Sequence, residues 1–237
     1  MSNLKNPSWV AQTKSNSTQR LTPLWVLDLI RQVSGPIQLD PCAHPASFVA
    51  PKHSFCLPAR ARDLFDLIEA EKDKPTKEAY QQELNTFLLD ARYNGLLNSW
   101  RGYGLVFVNP PYQRSLTKQW IQKIITEFEE TEGSKDELYA LLPARMGSVW
   151  FQDLLLPRLD AFCLFKGRLL FESANRVGEG ALPDSAPFES ILVYIGQRPM
   201  RFIKAFQKMG WCKLHPFYRI VEVDDLCETT VKVFPNE

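Results

Sequence analysis

The segment Asn109-Pro110-Pro111-Tyr112 carries residue types suited to holding a planar group that bears an amine. Asn109 offers a side-chain amide oxygen, Pro110 offers a carbonyl, and Tyr112 offers an aromatic ring. Two consecutive prolines cannot donate backbone hydrogen bonds, so the chain must leave a preceding strand here in a fixed, extended turn. We therefore expect all four residues, Pro111 included, to form a rigid catalytic segment.

The exocyclic amine of adenine is a planar amine of this kind, and it is a poor nucleophile because its lone pair is delocalised into the ring. Acceptance of its two hydrogens by the Asn109 amide oxygen and the Pro110 carbonyl would restore a usable lone pair. Tyr112 would stack on the base, a contact worth roughly 1–3 kcal/mol. With a sulfonium as methyl donor, no strong acid is needed and positioning carries most of the catalysis. The alternative is a plain turn with a surface tyrosine.

The elements on either side place this segment at the end of a strand. Residues 104–108 form a short apolar run bounded by glycine and proline, which predicts a buried strand. Residues 37–39 predict another strand that delivers Asp40 to its end. In an open α/β sheet, ligands bind at the carboxyl ends of the strands, so Asp40 is placed to meet a cationic or ribose-bearing cofactor. No glycine-rich loop follows Asp40, and the alternative is an aspartate that caps a turn.

Helical and strand patterns alternate along the rest of the chain. Thr22 is predicted as the N-cap, and Pro23 as the first position, of a helix that continues over residues 24–33. This alternation predicts an α/β fold with a doubly wound, mainly parallel sheet. The other predicted helices cover residues 115–130, 149–156 and 200–209, and the other predicted strands cover 138–142, 161–165, 191–195 and 217–223.

The domain organisation follows from the same patterns. Residues 1–20 predict a flexible polar tail, 21–210 the main domain, and 211–237 a C-terminal extension. Residues 60–93 predict a helical insertion, a hairpin of two helices divided at Lys74-Pro75-Thr76. Residues 172–187 predict a mobile loop.

Composition excludes several classes of protein. The chain has 237 residues, of which 45% are hydrophobic and 23% charged, as in one globular domain. It lacks an apolar stretch of about 20 residues and a signal-peptide pattern, so we expect a cytoplasmic protein that does not enter a membrane. Its five cysteines predict reduced thiols. A zinc site drawn from Cys42, His44, His53 and Cys56 matches no common spacing, and we expect no metal.

The net charge is only +1, but the charges are unevenly distributed. Residues 101–126 contain Arg114 and three other cations and no acid, which predicts a basic face for a phosphate backbone. The alternative is a set of solvated helix faces. Arg145 follows Pro143 at the expected edge of the sheet. Lys166 and Arg168 flank a glycine at a strand end, where they would contact a phosphate or form a solvated turn.

Six segments in the same order resemble the phage-type DNA N-6-adenine-methyltransferase (Dam) family. The resemblance implies a Rossmann-like methyltransferase that uses S-adenosylmethionine to methylate adenine in DNA. It also implies that the cofactor is lined by Thr22, Pro23, Asp40, Pro41 and Ala43, and that residues 109–112 hold a flipped adenine. The six segments are Thr22-Pro23-x-Trp25, Leu39-Asp40-Pro41-Cys42-Ala43, Val108-Asn109-Pro110-Pro111-Tyr112, Leu142-Pro143-Ala144-Arg145 with Trp150-Phe151, Phe165-Lys166-Gly167-Arg168-Leu169 and Ala186-Pro187-Phe188.

Two features depart from the family pattern. Asn94-Gly95-Leu96 and Trp100 stand where members carry Asp-Gly-Leu ahead of a tryptophan, so Asn94 would bind the cofactor without a charge. The inserted helical hairpin is the second departure. Two other functions remain open at this point: a methyltransferase with the same motif that acts on RNA adenine or a protein glutamine, and a catalytically silent nucleic-acid-binding module.

Overall fold

The computed structural model describes residues 20–112, 114–128, 135–173, 184–185, 188–214, 218–219 and 232–233. Its helices are α1 (Leu24–Ser34), α2 (Ala59–Ala70), α3 (Lys74–Leu88), α4 (Arg114–Phe128) and α5 (Pro199–Phe206). A π-helical turn at Trp150–Leu155 and a 3₁₀ turn at Leu156–Arg158 replace the helix predicted over residues 149–156. None of the helices in these ranges is long and apolar enough to cross a membrane.

Seven strands form the main sheet: β2 (Leu39–Asp40), β3 (His53–Ser54), β4 (Leu105–Val108), β5 (Glu137–Pro143), β6 (Ala161–Phe165), β9 (Ser190–Ile195) and β10 (Gly210–Leu214). Their order is β10-β6-β9-β5-β4-β2-β3. Neighbours are parallel from β3 to β5 and antiparallel from β5 to β10. The predicted α/β class is confirmed, with a mixed sheet.

The strand order reverses between β2 and β4. From β2 the chain first adds β3 on one side and then crosses to β4 on the other side. The carboxyl ends of β2 and β4 therefore flank a switch point, which is where ligands bind in open α/β sheets. Asp40 is the last residue of β2, and Asn109 directly follows β4.

Helices cover both faces of this sheet and bury it. In β4, Leu105 and Phe107 join the core that includes α1 and α5, whereas Val106 and Val108 join the core that includes α4. Burial on both faces explains why the strand is a continuous apolar run rather than an alternating one.

The predicted helical hairpin is confirmed as α2 and α3. Asp73 caps α3 by accepting a hydrogen bond from the Thr76 backbone N–H at 3.0 Å, and Pro75 lies in the first turn of that helix. The hairpin has a small core of its own, formed by Ala61, Leu64, Leu84 and Leu88.

Short strands far apart in sequence form a second sheet that the sequence patterns did not indicate. In it β1 (Arg20–Leu21) pairs with β7 (Leu170–Ser173), which pairs with β8 (Asp184–Ser185). Residues 1–19 of the tail predicted over residues 1–20, and most of the predicted mobile loop, lie outside the described residues, whereas Arg20 belongs to β1.

The C-terminal region also differs from expectation. Strand β10 continues the main sheet past residue 210, into the segment assigned to an extension. Of the strand predicted over residues 217–223, only β11 (Tyr218–Arg219) is described, and it pairs with β12 (Lys232–Val233).

Candidate active site

Two acceptors fix the orientation of the Asn109 side chain. Its amide nitrogen donates to the Arg20 carbonyl at 2.9 Å and to the Thr22 hydroxyl oxygen at 3.0 Å. A carbonyl can only accept, so the NH₂ group must face Arg20, and the amide oxygen must point the other way. The protein thus presents the Asn109 oxygen as an acceptor.

The Thr22 hydroxyl accepts a hydrogen bond from Asn109 and does not cap the helix that follows it. The sequence predicted Thr22 as the cap of α1, but Pro23 occupies the cap position and its carbonyl accepts from the Val26 and Leu27 N–H groups at 3.1 and 3.4 Å. The prediction was wrong because the Thr22 side chain has a tertiary partner. Thr22 is 1% exposed, and strand β1, which precedes it, is held by pairing with β7.

The Tyr112 hydroxyl is hydrogen-bonded to the side-chain oxygen of Asn109 in this conformation. Its hydroxyl donates to Asn109 Oδ1 at 2.5 Å and approaches the Leu141 carbonyl at 3.3 Å. Burial raises the pKa of the Tyr112 phenol well above its usual range, so the group stays a donor. An incoming amine would compete with this hydroxyl for Asn109 Oδ1.

The Tyr112 ring lies against an aromatic wall. It makes edge-to-face contacts with Phe188, at 5.2 Å between ring centroids, and with Phe171, at 6.1 Å. The Arg20 guanidinium lies about 6 Å from each of these phenylalanine rings. The role of Tyr112 as a stacking platform stays a prediction, and it requires the ring to present a face to the base.

Cys42 lies between the ends of β2 and β4. Its backbone N–H donates to Asp40 Oδ1 at 3.1 Å, and the Asn109 backbone lies beside its thiol. Burial and the nearby Asp40 carboxylate raise the pKa of the Cys42 thiol, so it stays protonated. Cys42 is therefore a neighbour of both Asp40 and Asn109.

Asp40 is a buried carboxyl group at the switch point. It is 4% exposed, and burial raises its pKa from 3.8 to about 7. A desolvated carboxylate gains most from a cationic or hydroxyl-bearing ligand. Asp40 and the partly buried apolar side chains of Cys42, Phe55 and Leu96 therefore fit the predicted cofactor, which combines a sulfonium, a ribose and a base.

The Asn94 loop meets this site through its backbone. Asn94 Oδ1 accepts from the Leu96 N–H and Nδ2 donates to the Leu88 carbonyl, both at 3.0 Å, so the side chain holds its own loop. Gly95 lies so close to Pro41 that an added Cβ would be 2.0 Å from the Pro41 carbonyl oxygen. The cofactor role of Asn94 stays a prediction, as do those of Pro23, Pro41 and Ala43.

The predicted substrate-binding cations lie at the same edge of the sheet. Arg145 follows β5, and Lys166 and Arg168 follow β6; all three are exposed, and both strands run in the direction of β4. Arg114 begins α4, directly after the catalytic segment, and its side chain lies outside the described part of the structure.

The basic segment predicted over residues 101–126 is divided between the two ends of α4. Lys123 forms an ion pair with the buried Glu127 one turn away, and Arg101 donates to the Thr126 carbonyl at 2.8 Å. Both cations are held at the end of α4 remote from Asn109, so they do not extend a basic face beside it.

The zinc alternative finds no support in the geometry. Within the described ranges, which include Cys42, His44, His53 and Cys56, no three His, Cys, Asp or Glu side chains are placed to hold a metal ion.

Sequence patterns missed the residues that support Asn109 from distant segments. Thr22 was read as a helix cap, and the Phe171–Phe188 wall comes from segments about 60 residues or more beyond the motif. The sequence also contains a segment without acidic residues, 190–214, which has no Asp or Glu.

A family model described as DNA N-6-adenine-methyltransferase (Dam) matches residues 64–206, more than half of the chain. A search of curated proteins finds no match. The matched range contains residues 109–112, Arg145, Lys166 and Arg168, and it begins after Thr22 and Asp40.

Proposed function

Because the chain belongs to the DNA N-6-adenine-methyltransferase (Dam) family, we propose that it transfers a methyl group from S-adenosylmethionine to the N6 amine of adenine in DNA. The observation that carries this proposal is the orientation of Asn109. Arg20 and Thr22 hold its amide nitrogen, so that its oxygen is presented at the switch point of the sheet. Cys42 lies beside the Asn109 backbone, and the Cys42 backbone N–H donates to the buried carboxyl group of Asp40.

Asn109 and Pro110 act on the adenine amine. The Asn109 oxygen accepts one amine hydrogen and the Pro110 carbonyl accepts the other, which draws the nitrogen lone pair out of conjugation with the ring. When bound, S-adenosylmethionine supplies an electrophilic methyl group on a sulfonium. The nitrogen would attack the methyl carbon in line as the methyl–sulfur bond breaks and a neutral thioether leaves, the methylated amine would then release one proton to solvent, and no covalent intermediate with the protein would form. Catalysis of this kind depends mainly on position, which the two prolines and the Thr22 contact provide.

The target adenine must leave the duplex, because a stacked and paired base cannot offer its amine in line with the donor. Tyr112 must then give up its hydrogen bond to Asn109 Oδ1 as the base enters. Its ring is free to stack on the base once that bond is broken, with Phe171 and Phe188 supporting it from behind.

Asp40 holds the cofactor in this proposal. Its carboxylate accepts from the cationic or hydroxyl-bearing part of the donor, and the Cys42 backbone N–H orients that carboxylate. Arg145, Lys166 and Arg168 contact DNA phosphates at the same edge of the sheet.

Transfer of a tritiated methyl group tests the proposal. The protein is incubated with labelled S-adenosylmethionine and, in parallel, unmethylated DNA, RNA of the same sequence, and a protein rich in glutamine. Incorporation into DNA at N6 of adenine, mapped by sequencing, is expected. Labelling of RNA or protein alone would show that the substrate is RNA or protein and not DNA. Absence of donor binding in calorimetry would indicate a catalytically silent nucleic-acid-binding module.

Asn109→Ala is the decisive variant. It should abolish transfer while donor binding stays nearly intact, because Asn109 touches the amine rather than the donor. Asn85→Ala, on α3 of the hairpin, is the matched control and should keep full activity. Full activity in Asn109→Ala would refute the assignment.

A further inference from the structure

We propose that one face of α5 and the turn after it bind the phosphate backbone of DNA beside the target base. This inference rests on the proposed function and adds a second DNA-contacting surface to it. The surface is called here the α5 stripe, and it consists of Arg201, Lys204 and Lys208.

Arg201 and Lys204 share one face of α5, and Lys208 lies in the turn after the helix ends at Phe206. The spacing of three and four residues continues along the same side, and all three are exposed. The opposite side carries Phe202 and Phe206, which are fully buried in the core. At 1.5 Å per residue the stripe spans about 10 Å, or about three base pairs of B-DNA.

The charge of the stripe is not offset by neighbouring acids. Helices α1, α3 and α4 each pair a cation with an acid about one turn away: Arg31–Asp28, Lys74–Glu78 and Lys123–Glu127. Helix α5 contains no acid, and neither do residues 190–214 as a whole. Like charges one turn apart destabilise a helix slightly. An exposed row of cations without neighbouring acids is complementary to a polyanion.

Arg198, in the same segment, differs from the three stripe cations because it has an acidic partner. Arg198, just before α5, pairs with the buried Glu137 at 3.3 Å, at the edge of the sheet opposite to Asn109. In the part of the chain that the structure describes, no carboxylate lies within ion-pairing distance of the stripe. The uncompensated cations run from Arg201, one turn after Arg198, towards the active-site edge, and Lys208 lies nearest to that edge.

The stripe is continuous with the active site. Helix α5 runs towards the carboxyl end of β6, because the Met209 carbonyl accepts from the Lys166 N–H at 2.9 Å. Lys208 is thereby brought beside the turn that carries Lys166 and Arg168. On the other side of that turn, Phe165 contacts the Trp25 ring at 5.7 Å between centroids.

Trp25 connects this turn to the catalytic segment. It is 40% exposed and lies three residues after Thr22, whose hydroxyl orients Asn109. A run of exposed surface therefore leads from Asn109 past Trp25 to Lys166 and on to the α5 stripe. Duplex DNA whose target adenine sits at Asn109 is the occupant that such a basic, solvent-facing path fits.

Salt-dependent binding measures the contribution of the stripe. The triple variant Arg201→Gln/Lys204→Gln/Lys208→Gln and the unaltered protein are titrated with a fluorescent DNA duplex at several KCl concentrations. A plot of log K against log [KCl] has a negative slope. Its magnitude should decrease by about 2.7 if all three cations contact phosphates, since each contributes about 0.9. Single Lys204→Gln should lower it by about 0.9, and thermal melting checks that both variants fold.

The matched control is Lys72→Gln/Lys74→Gln/Lys77→Gln on the exposed end of the hairpin. It removes the same charge and should leave the slope and the methylation rate unchanged. Loss of slope equal to that of the stripe variant would mean that only net charge matters, and it would overturn the inference.

Two other results also overturn it. Unchanged slope and affinity in the stripe variant would show that DNA does not touch α5. Tighter binding would show that the stripe opposes DNA binding and does not contact its phosphates. Neither result touches the proposed function, which fails only if the unaltered protein does not methylate DNA.

Discussion

The Thr22 hydroxyl oxygen lies 3.0 Å from the side-chain nitrogen of Asn109, across 87 residues of sequence. This contact, with the Arg20 carbonyl, fixes which end of the amide is presented at the switch point of the sheet. Thr22→Val keeps the shape of the side chain and removes the acceptor. We expect kcat to fall roughly two- to tenfold, since one hydrogen bond is worth about 0.5–1.5 kcal/mol, while the KM for DNA changes little.

Thr22→Ser is the control, because serine restores the hydroxyl and should recover most of the rate. A merely structural role predicts that both variants lose thermal stability and activity together. Equal rates for Val and Ser would remove Thr22 from the positioning of Asn109.

The hydroxyl of Tyr112 should oppose entry of the base. Tyr112→Phe removes the bond to Asn109 Oδ1 and keeps the ring, so the base no longer has to displace that bond. We expect capture of the base to tighten by up to about tenfold, the equivalent of one hydrogen bond. The fluorescence of 2-aminopurine at the target position reports extrusion of the base.

Tyr112→Ala removes the ring as well and should weaken capture, since stacking contributes roughly 1–3 kcal/mol. If Phe weakens capture as much as Ala does, the hydroxyl assists the base and does not compete with it.

Asp40 should make the stability of the protein depend on pH. Burial raises its pKa to about 7, so the folded protein keeps a proton that the unfolded chain releases near pH 4. The stabilising contribution is complete below about pH 4 and is lost as pH rises through 7. Asp40→Asn cannot titrate there, so its unfolding free energy relative to the unaltered protein should rise from pH 4 to 7 and then level off. Urea denaturation at fixed pH values measures this difference, and a constant difference would mean that Asp40 is already ionised at pH 4.

Donor binding should depend on the same group. If Asp40 binds as a carboxylate, binding of S-adenosylmethionine expels its proton, and affinity rises between about pH 6 and 8. Calorimetry in buffers of different ionisation enthalpy measures the released proton. In Asp40→Asn both the pH dependence and the proton release attributed to this group should vanish. An unaltered protein whose affinity is flat over this range would separate Asp40 from the cofactor.

Gly95 should not tolerate a side chain. In Gly95→Ala the new Cβ would lie 2.0 Å from the Pro41 carbonyl oxygen, so the loop must move away from the site. We expect a loss of about 1–3 kcal/mol in unfolding free energy, as for other overpacked positions, together with weaker donor binding.

Gly147→Ala is the control for this variant, because no atom lies within 4 Å of its added Cβ. Thermal denaturation compares the two proteins. Equal melting temperatures would show that the approach of Gly95 to Pro41 does not constrain the loop.

Local patterns sufficed for the elements that carry the catalytic segment. The apolar run before Asn109 and the following prolines predicted β4 within one residue, and residues 161–165 match β6 as predicted. Both predictions depend on composition over a few residues, where burial on two faces leaves a clear pattern.

Long-range pairing could not be predicted in the same way. Strand β1 has two residues and pairs with β7 about 150 positions later, so no periodicity marks either strand. The partners of Asn109 depend on that pairing. A threonine before a proline resembles a helix cap whether or not its hydroxyl is used elsewhere, and only the tertiary structure separates the two uses.

The hairpin of α2 and α3 encloses four fully buried side chains that are separate from the two larger cores. Its tip, at Lys72 and Asp73, is exposed. A fluorophore or an affinity tag attached at that tip would leave the catalytic sheet undisturbed, which makes the hairpin a convenient handle for immobilising the protein or following it on DNA.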